Sequence, residues 1–131
     1  MIHVKIYDYQ DINEINRVKV WLDDQQPKVK AKLNTRLNNL EQISRSEWRT
    51  LNTEVLSGDK DGLISIRVEY QGVQYRLIGY DGPNRGEFTI LGCCTEQNNK
   101  YRPLNIGRTC FDRIKEIDKN PDSRRVSHDY R

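Results

Sequence analysis

No stretch of the chain approaches the ~18 consecutive apolar residues of a membrane-spanning helix, and the first residues carry no long apolar segment of the kind found in secretory leaders. These absences predict a soluble, cytoplasmic protein with no membrane partner. Cysteine is scarce: there are three, and two are the adjacent pair Cys93-Cys94, an odd count without zinc-ligand spacing. They read as reduced, partly buried residues, and because neighbouring strand residues point to opposite faces the vicinal pair is poorly set up for redox chemistry. Histidine is scarcer still. His3 falls in a first strand and His128 close to the last residue, so neither is placed as a general base. Also missing are a P-loop, a dinucleotide glycine fingerprint, HExxH, a paired cysteine motif and a nucleophile elbow. No metal or cofactor is therefore expected, and the chemistry left open is what cations and phenols perform.

What is present is charge. With 31% charged and 35% hydrophobic residues the chain is polar yet retains clear apolar periodicity, and 131 residues suffice for one core but not for two independent domains. The balance of 22 basic and 19 acidic residues gives +3, too mild to mark a nucleic-acid binder by itself, so the placement of the charges matters more than their sum. Residues 1–118 read as the folded domain. Residues 119–131, with Arg124, Arg125 and Arg131 but no apolar pattern, read as a flexible basic tail or one ordered only by a partner.

Met1-Ile-His-Val-Lys-Ile-Tyr-Asp8 alternates as a strand. From Asp11 to Gln25, Ile12, Ile15, Val18 and Leu22 recur at helical spacing with Asp11 as N-cap. Pro27 ends that helix and opens a second one, whose stripe is Val29, Leu33, Leu37, Leu40 and Ile43. On that second helix Lys28, Lys32 and Arg36 recur every four residues beside Lys30, a basic ridge that is either a solvated face or a contact for nucleic acid. Residues 48–56 cross to the sheet, and Ser57-Gly-Asp-Lys-Asp-Gly62 has turn composition. A hairpin follows, then the turn Asp81 to Gly86, a third strand Glu87 to Cys94, and after Pro103 a last helix from about Leu104 to Asp118, with Leu104, Ile106, Cys110, Phe111, Ile114 and Ile117 available for packing. The fold class implied is α/β of the α+β kind: two N-terminal helices on one face of a mostly antiparallel twisted sheet with a three-stranded meander, a C-terminal helix, and the opposite sheet face open.

The hairpin holds the most informative pair. If strands 63–70 and 73–80 join through Gln71-Gly72, Tyr70 pairs with Val73 and Arg67 faces Arg76, with Cβ atoms roughly 4.5–5.5 Å apart. Like charges so placed repel. A bound anion would relieve the repulsion; alternatively both guanidinium groups splay into solvent, or Glu69 on the same face neutralises them. Arginine forks bind phosphate oxygens bidentately, and RNA carries its own nucleophile in the 2′-hydroxyl, so a cleft with Arg76, Arg67 and the nearby Lys100 and Tyr101 has the makings of a phosphodiester site.

The element order, with Gly62-Leu-Ile-Ser-Ile-Arg67 and Tyr75-Arg-Leu-Ile-Gly-Tyr80, resembles the RelE/HigB-type toxins of toxin–antitoxin systems, phage-derived ones included, over residues 1–118. The resemblance implies a RelE-like microRNase fold and a metal-independent mRNA endoribonuclease, an mRNA interferase acting with the ribosome by 2′-hydroxyl attack. It also implies a cognate antitoxin as partner. Arg76 matches the family's strand arginine at the scissile phosphate and Arg67 a basic residue of the preceding strand. The family's basic residue after the last strand has no counterpart before Lys100, and Tyr101 stands for its C-terminal tyrosine. The RNA contacts expected are Lys28, Lys30, Lys32, Arg36 and Arg102. Two other readings stay open: a ParE-like gyrase-binding toxin without RNase activity, and a non-catalytic phage or accessory interaction module.

Overall fold

The computed structural model, which describes residues 2–131, sets seven strands in one sheet with helices on both faces. In chain order these are β1 (Lys5–Tyr9), α1 (Arg17–Asp23), α2 (Pro27–Glu41), β2 (Thr53–Val55), β3 (Ile64–Tyr70), β4 (Val73–Asp81), β5 (Glu87–Gln97), β6 (Lys100–Arg102), α3 (Ile106–Lys119) and β7 (Arg125–Ser127), with 3₁₀ segments at Arg45–Leu51 and Gly58–Lys60. The sheet order is β2-β3-β4-β5-β1-β7, with β6 also paired to β5. Only β1 and β5 run parallel. The mixed α+β class and the mostly antiparallel sheet are as the sequence predicts; Met1, at the head of the first predicted strand, lies outside the described residues.

The predicted hairpin register holds: Tyr70 pairs with Val73, Ile66 with Leu77 and Arg67 with Arg76. Gln71 and Gly72 sit at φ 52° and 80°, the two left-handed residues of a turn whose twist suits a two-residue hairpin. One sheet face packs Ile64, Ile66, Val68, Leu77, Phe88 and Ile90 against Val18, Leu22, Val29, Leu33, Leu37 and Leu40. Trp48 pins that core. It is fully buried, donates its indole N–H to Leu40 O at 3.0 Å and meets Phe88 edge-on at 5.0 Å.

The other face is not open, contrary to the sequence expectation. Here α3 lays Ile106, Cys110 and Ile117 over Leu63, Ile78, Leu91 and Cys94. Two details of β5 allow it. The register slips near Ile78, which places Leu91 on the α3 side, and Gly92 supplies the clearance, since a Cβ there would meet Ile106 Cδ1 at 2.8 Å. Cys93 and Cys94 do face opposite cores, and all three thiols are buried rather than partly so.

Other boundaries shift for local reasons. The first helix starts late because Asp11 Oδ1 accepts from the Asn13 and Ile15 amides and closes a turn, while Asn16 caps the helix through the Lys19 amide; Ile12 is left 74% exposed. Leu104 lies before α3 and is exposed, and Phe111 points outward. The third meander strand runs on to Gln97 and returns through Asn98-Asn99, both at positive φ, as β6.

Residues 119–131 do not fray as expected. Arg125–Ser127 add to the outer edge of β1, and His128 is buried. Its Nδ1 lies 2.7 Å from Asp8 Oδ1 and its Nε2 2.8 Å from Asn34 Oδ1, while Tyr130 donates its hydroxyl to Glu41. Those partners sit on β1 and α2, 89 to 120 residues away in sequence, so a local reading of an apolar-poor tail misses them.

Candidate functional site

β2 is the element that rewrites the site. Paired antiparallel with β3, it sets Glu54 opposite Ser65, on the same face as Arg67 and Arg76. Glu96 enters from the other side, on the extended end of β5, two residues from Cys94, the partner of Arg76. Arg76 is 8% exposed and spends four hydrogen bonds inside this frame: Nη1 donates to Glu54 Oε1 at 2.6 Å and to Ser65 Oγ at 2.9 Å, and Nε and Nη2 donate to Glu96 Oε1 at 2.9 and 2.6 Å. Burial pulls its pKa down, but the bonds to Glu54 and Glu96 outweigh that and hold it above the ordinary arginine value.

The repulsion between facing arginines is thus relieved from within the molecule, by Glu54 and Glu96. Glu69, the carboxylate nearest in sequence, is not the one that pairs with them. Arg67 is the freer cation. Nη1 donates to Gln74 Oε1 at 3.1 Å, Nε stands 3.8 Å from Glu54 Oε1, and its side chain is 36% exposed. Glu54 Oε1 therefore sits between two guanidinium groups while half of the side chain faces solvent.

Tyr101 is brought back over the site by the Asn98-Asn99 turn, opposite Glu96 on β6, with its ring 5.6 Å from the Arg76 guanidinium. Burial raises its pKa against the opposing pull of Arg76, so the phenol keeps its proton at neutral pH. The lysine beside it is Lys60, from the 3₁₀ segment, with Nζ 4.2 Å from the ring centroid. Lys100 and Arg102 are exposed on β6, and the close contacts of Arg76 and Tyr101 do not include them. Cys94 lies next to Arg76 in the ladder, and burial pushes its thiol up to about 12, so it is no nucleophile.

The helix ridge splits. Lys30 turns to Asp23 and to the Arg131 carbonyl, Lys28 and Lys32 stay exposed, and Arg36 bridges the carbonyls of Leu51 and Arg67 at 2.9 and 3.0 Å. Of the site residues named from the sequence, Arg67, Arg76 and Tyr101 come together here, with Ser65 on the arginine face as the hairpin register predicts, whereas Glu54, Glu96 and Lys60 were not foreseen. Glu54 stands in a three-residue strand with no periodic signal, and Glu96 lies past the end of the apolar run.

Fold and site together define a mixed α+β domain whose sheet carries a carboxylate–guanidinium cluster beside a phenol. No protein family, curated protein or solved structure matches the chain. No helix among the described residues is long and apolar enough to cross a membrane.

Proposed function

We propose that the chain is an endoribonuclease toxin of the RelE/HigB kind, cutting mRNA by attack of the ribose 2′-hydroxyl on the adjacent phosphate. The observation that carries the reading is the half-exposed Glu54 carboxylate held between Arg67 and Arg76. In the proposed reaction Glu54 takes the 2′-hydroxyl proton, the new O–P bond closes a 2′,3′-cyclic phosphate, and the 5′-oxygen leaves with a proton from Tyr101. Arg67, with the least committed guanidinium, neutralises charge developing on the phosphate oxygens; Arg76 orients Glu54 and Glu96. These roles invert the pair as read from the sequence, where Arg76 met the phosphate and Arg67 helped. The element order and the two arginine-bearing strand motifs support a RelE-like fold, with an antitoxin as the partner that covers this face.

Mapping transcript 5′ ends after induced expression tests the reading. Wild-type protein should produce new ends and Glu54→Gln should reduce them about 100-fold, the scale of a lost general base. Intact transcripts with arrested growth would sink it. A second reading, a non-catalytic interaction module, is favoured by the nearly complete engagement of Arg76, and equal potency of wild type and Glu54→Gln would support it.

A further inference from the structure

Hydrogen bonds to the buried His128 ring fix where its protons sit. Asn34 Nδ2 donates to the Tyr130 carbonyl at 3.3 Å, and a carbonyl can only accept, so Asn34 presents Oδ1 to His128 Nε2 at 2.8 Å. That contact needs a proton on Nε2. Across the ring, Nδ1 stands 2.7 Å from Asp8 Oδ1. Asn16 Oδ1 accepts from the Lys19 amide, which leaves Asn16 Nδ2 to donate to Asp8 Oδ2 at 2.9 Å. Asp8 Oδ1 is thus left to the ring, and because imidazole is a stronger base than a carboxylate, the proton between them belongs on Nδ1. Both ring nitrogens donate.

This imidazolium fastens the end of the described chain to the sheet. The His128 amide donates to Ile6 O at 3.1 Å on the outer edge of β1, and Tyr130 lies edge-on to the ring at 4.6 Å while its hydroxyl reaches Glu41. Arg124 and Arg125 are anchored separately, to Glu116 and Glu87 at 2.6 and 2.8 Å. We propose that residues 126–131 form a proton-operated latch on the sheet edge, closed while His128 carries both ring protons and open when one leaves. A bare nitrogen would face Asn34 Oδ1 or Asp8 Oδ1, acceptor against acceptor, where both ionisable side chains are buried. Turning the Asn34 amide over only moves the clash to the Tyr130 carbonyl. Opening bares Ile6 O and the β1 edge beside it.

The charged and titratable groups around the ring come from every element packed there. β1 gives Asp8, α2 gives Glu41, α1 gives Lys19 at 3.8 Å from Asp129, and β5 gives Cys93, whose thiol burial and Asp8 hold well above its ordinary value. Burial and Glu41 raise the Tyr130 phenol, and Arg131 holds the Asp129 carboxyl below its usual range, so neither changes charge when the ring does. The closed latch holds one proton more than the open one. Rising pH therefore weakens it.

Nitrogen NMR of the imidazoles, read beside hydrogen exchange, tests this; the chain has 2 histidines, and His3 is exposed. As pH is raised, both His128 ring nitrogens should stay protonated for as long as the His128 backbone amide stays protected. Its protection factor should then fall by up to about tenfold per pH unit, the limit for one linked proton, while the Gln10 amide, bonded to Arg124 O, stays protected. Asn34→Asp should carry both transitions to higher pH together, since a second carboxylate favours the imidazolium. In His128→Gln the protection that remains should not depend on pH across roughly pH 5 to 8. A bare ring nitrogen under a protected His128 amide, unmoved transitions in Asn34→Asp, or an undiminished pH slope in His128→Gln overturns the inference.

Discussion

Removing the Arg76 side chain leaves Glu96 without its ion-pair partner and Glu54 with only the longer approach of Arg67. We expect Arg76→Ala to cost about 3 kcal/mol in urea unfolding, the range for breaking a buried ion pair. At 8% exposure Arg76 is part of the packed structure, not a free cation on the open face expected from the sequence. Arg67→Ala, at a position where only Gln74 and a long approach to Glu54 are lost, should change stability by no more than about 0.5 kcal/mol and still abolish RNA binding. Equal destabilisation by the two substitutions would refute this division of labour. That Arg67 and Arg76 face each other was legible, because a two-residue turn fixes register and register fixes who faces whom. Their partners were not. Glu54 and Glu96 reach them from different strands, and nothing local in either segment announces it.

At the scale of elements, the two helices and the meander followed from periodicity, whereas α3 was assigned no face and β7 no place. Amphipathic spacing shows that α3 has an apolar stripe but not which sheet face receives it; the clearance at Gly92 and the register slip near Ile78 decide that. The edge strand β7 is tied down by side chains as well as by its ladder: Arg125 pairs with Glu87 at 2.8 Å, and the buried His128 meets Asp8 just past its end. Asp8 and His128 are both withdrawn from water, so His128→Ala should leave Asp8 Oδ1 without its hydrogen-bond partner, Asn16 Nδ2 remaining on Oδ2, and cost about 2 kcal/mol. Hydrogen exchange should then quicken at the β1 amides that face β7. Unchanged protection there would mean that strand pairing alone holds the edge.

Across the whole molecule, the two cores hide every thiol. Burial raises Cys94 and Cys110 to about 12, against an ordinary value of 9.0, and Cys93 rises as well. Below pH 9 folded and unfolded chains both keep these protons, so the contribution to stability is complete. As pH rises from 9 toward 12 the unfolded chain releases protons that the folded one retains, and stability should fall across that window. Thermal midpoints measured against pH should show the decline, with a shallower slope in Cys94→Ala and Cys110→Ala; an unaltered slope would assign the decline to other groups. The seating of β1 between β5 and β7 has a consequence for how the chain assembles. Its parallel neighbour arrives some eighty residues later and the His128 that secures its other side 120 residues later, while the meander strands meet across short turns. Closing such long loops is entropically costly before any contact rewards it, so β1 should be among the last strands to find its place, and folding should belong to the slower, non-local regime of milliseconds to seconds.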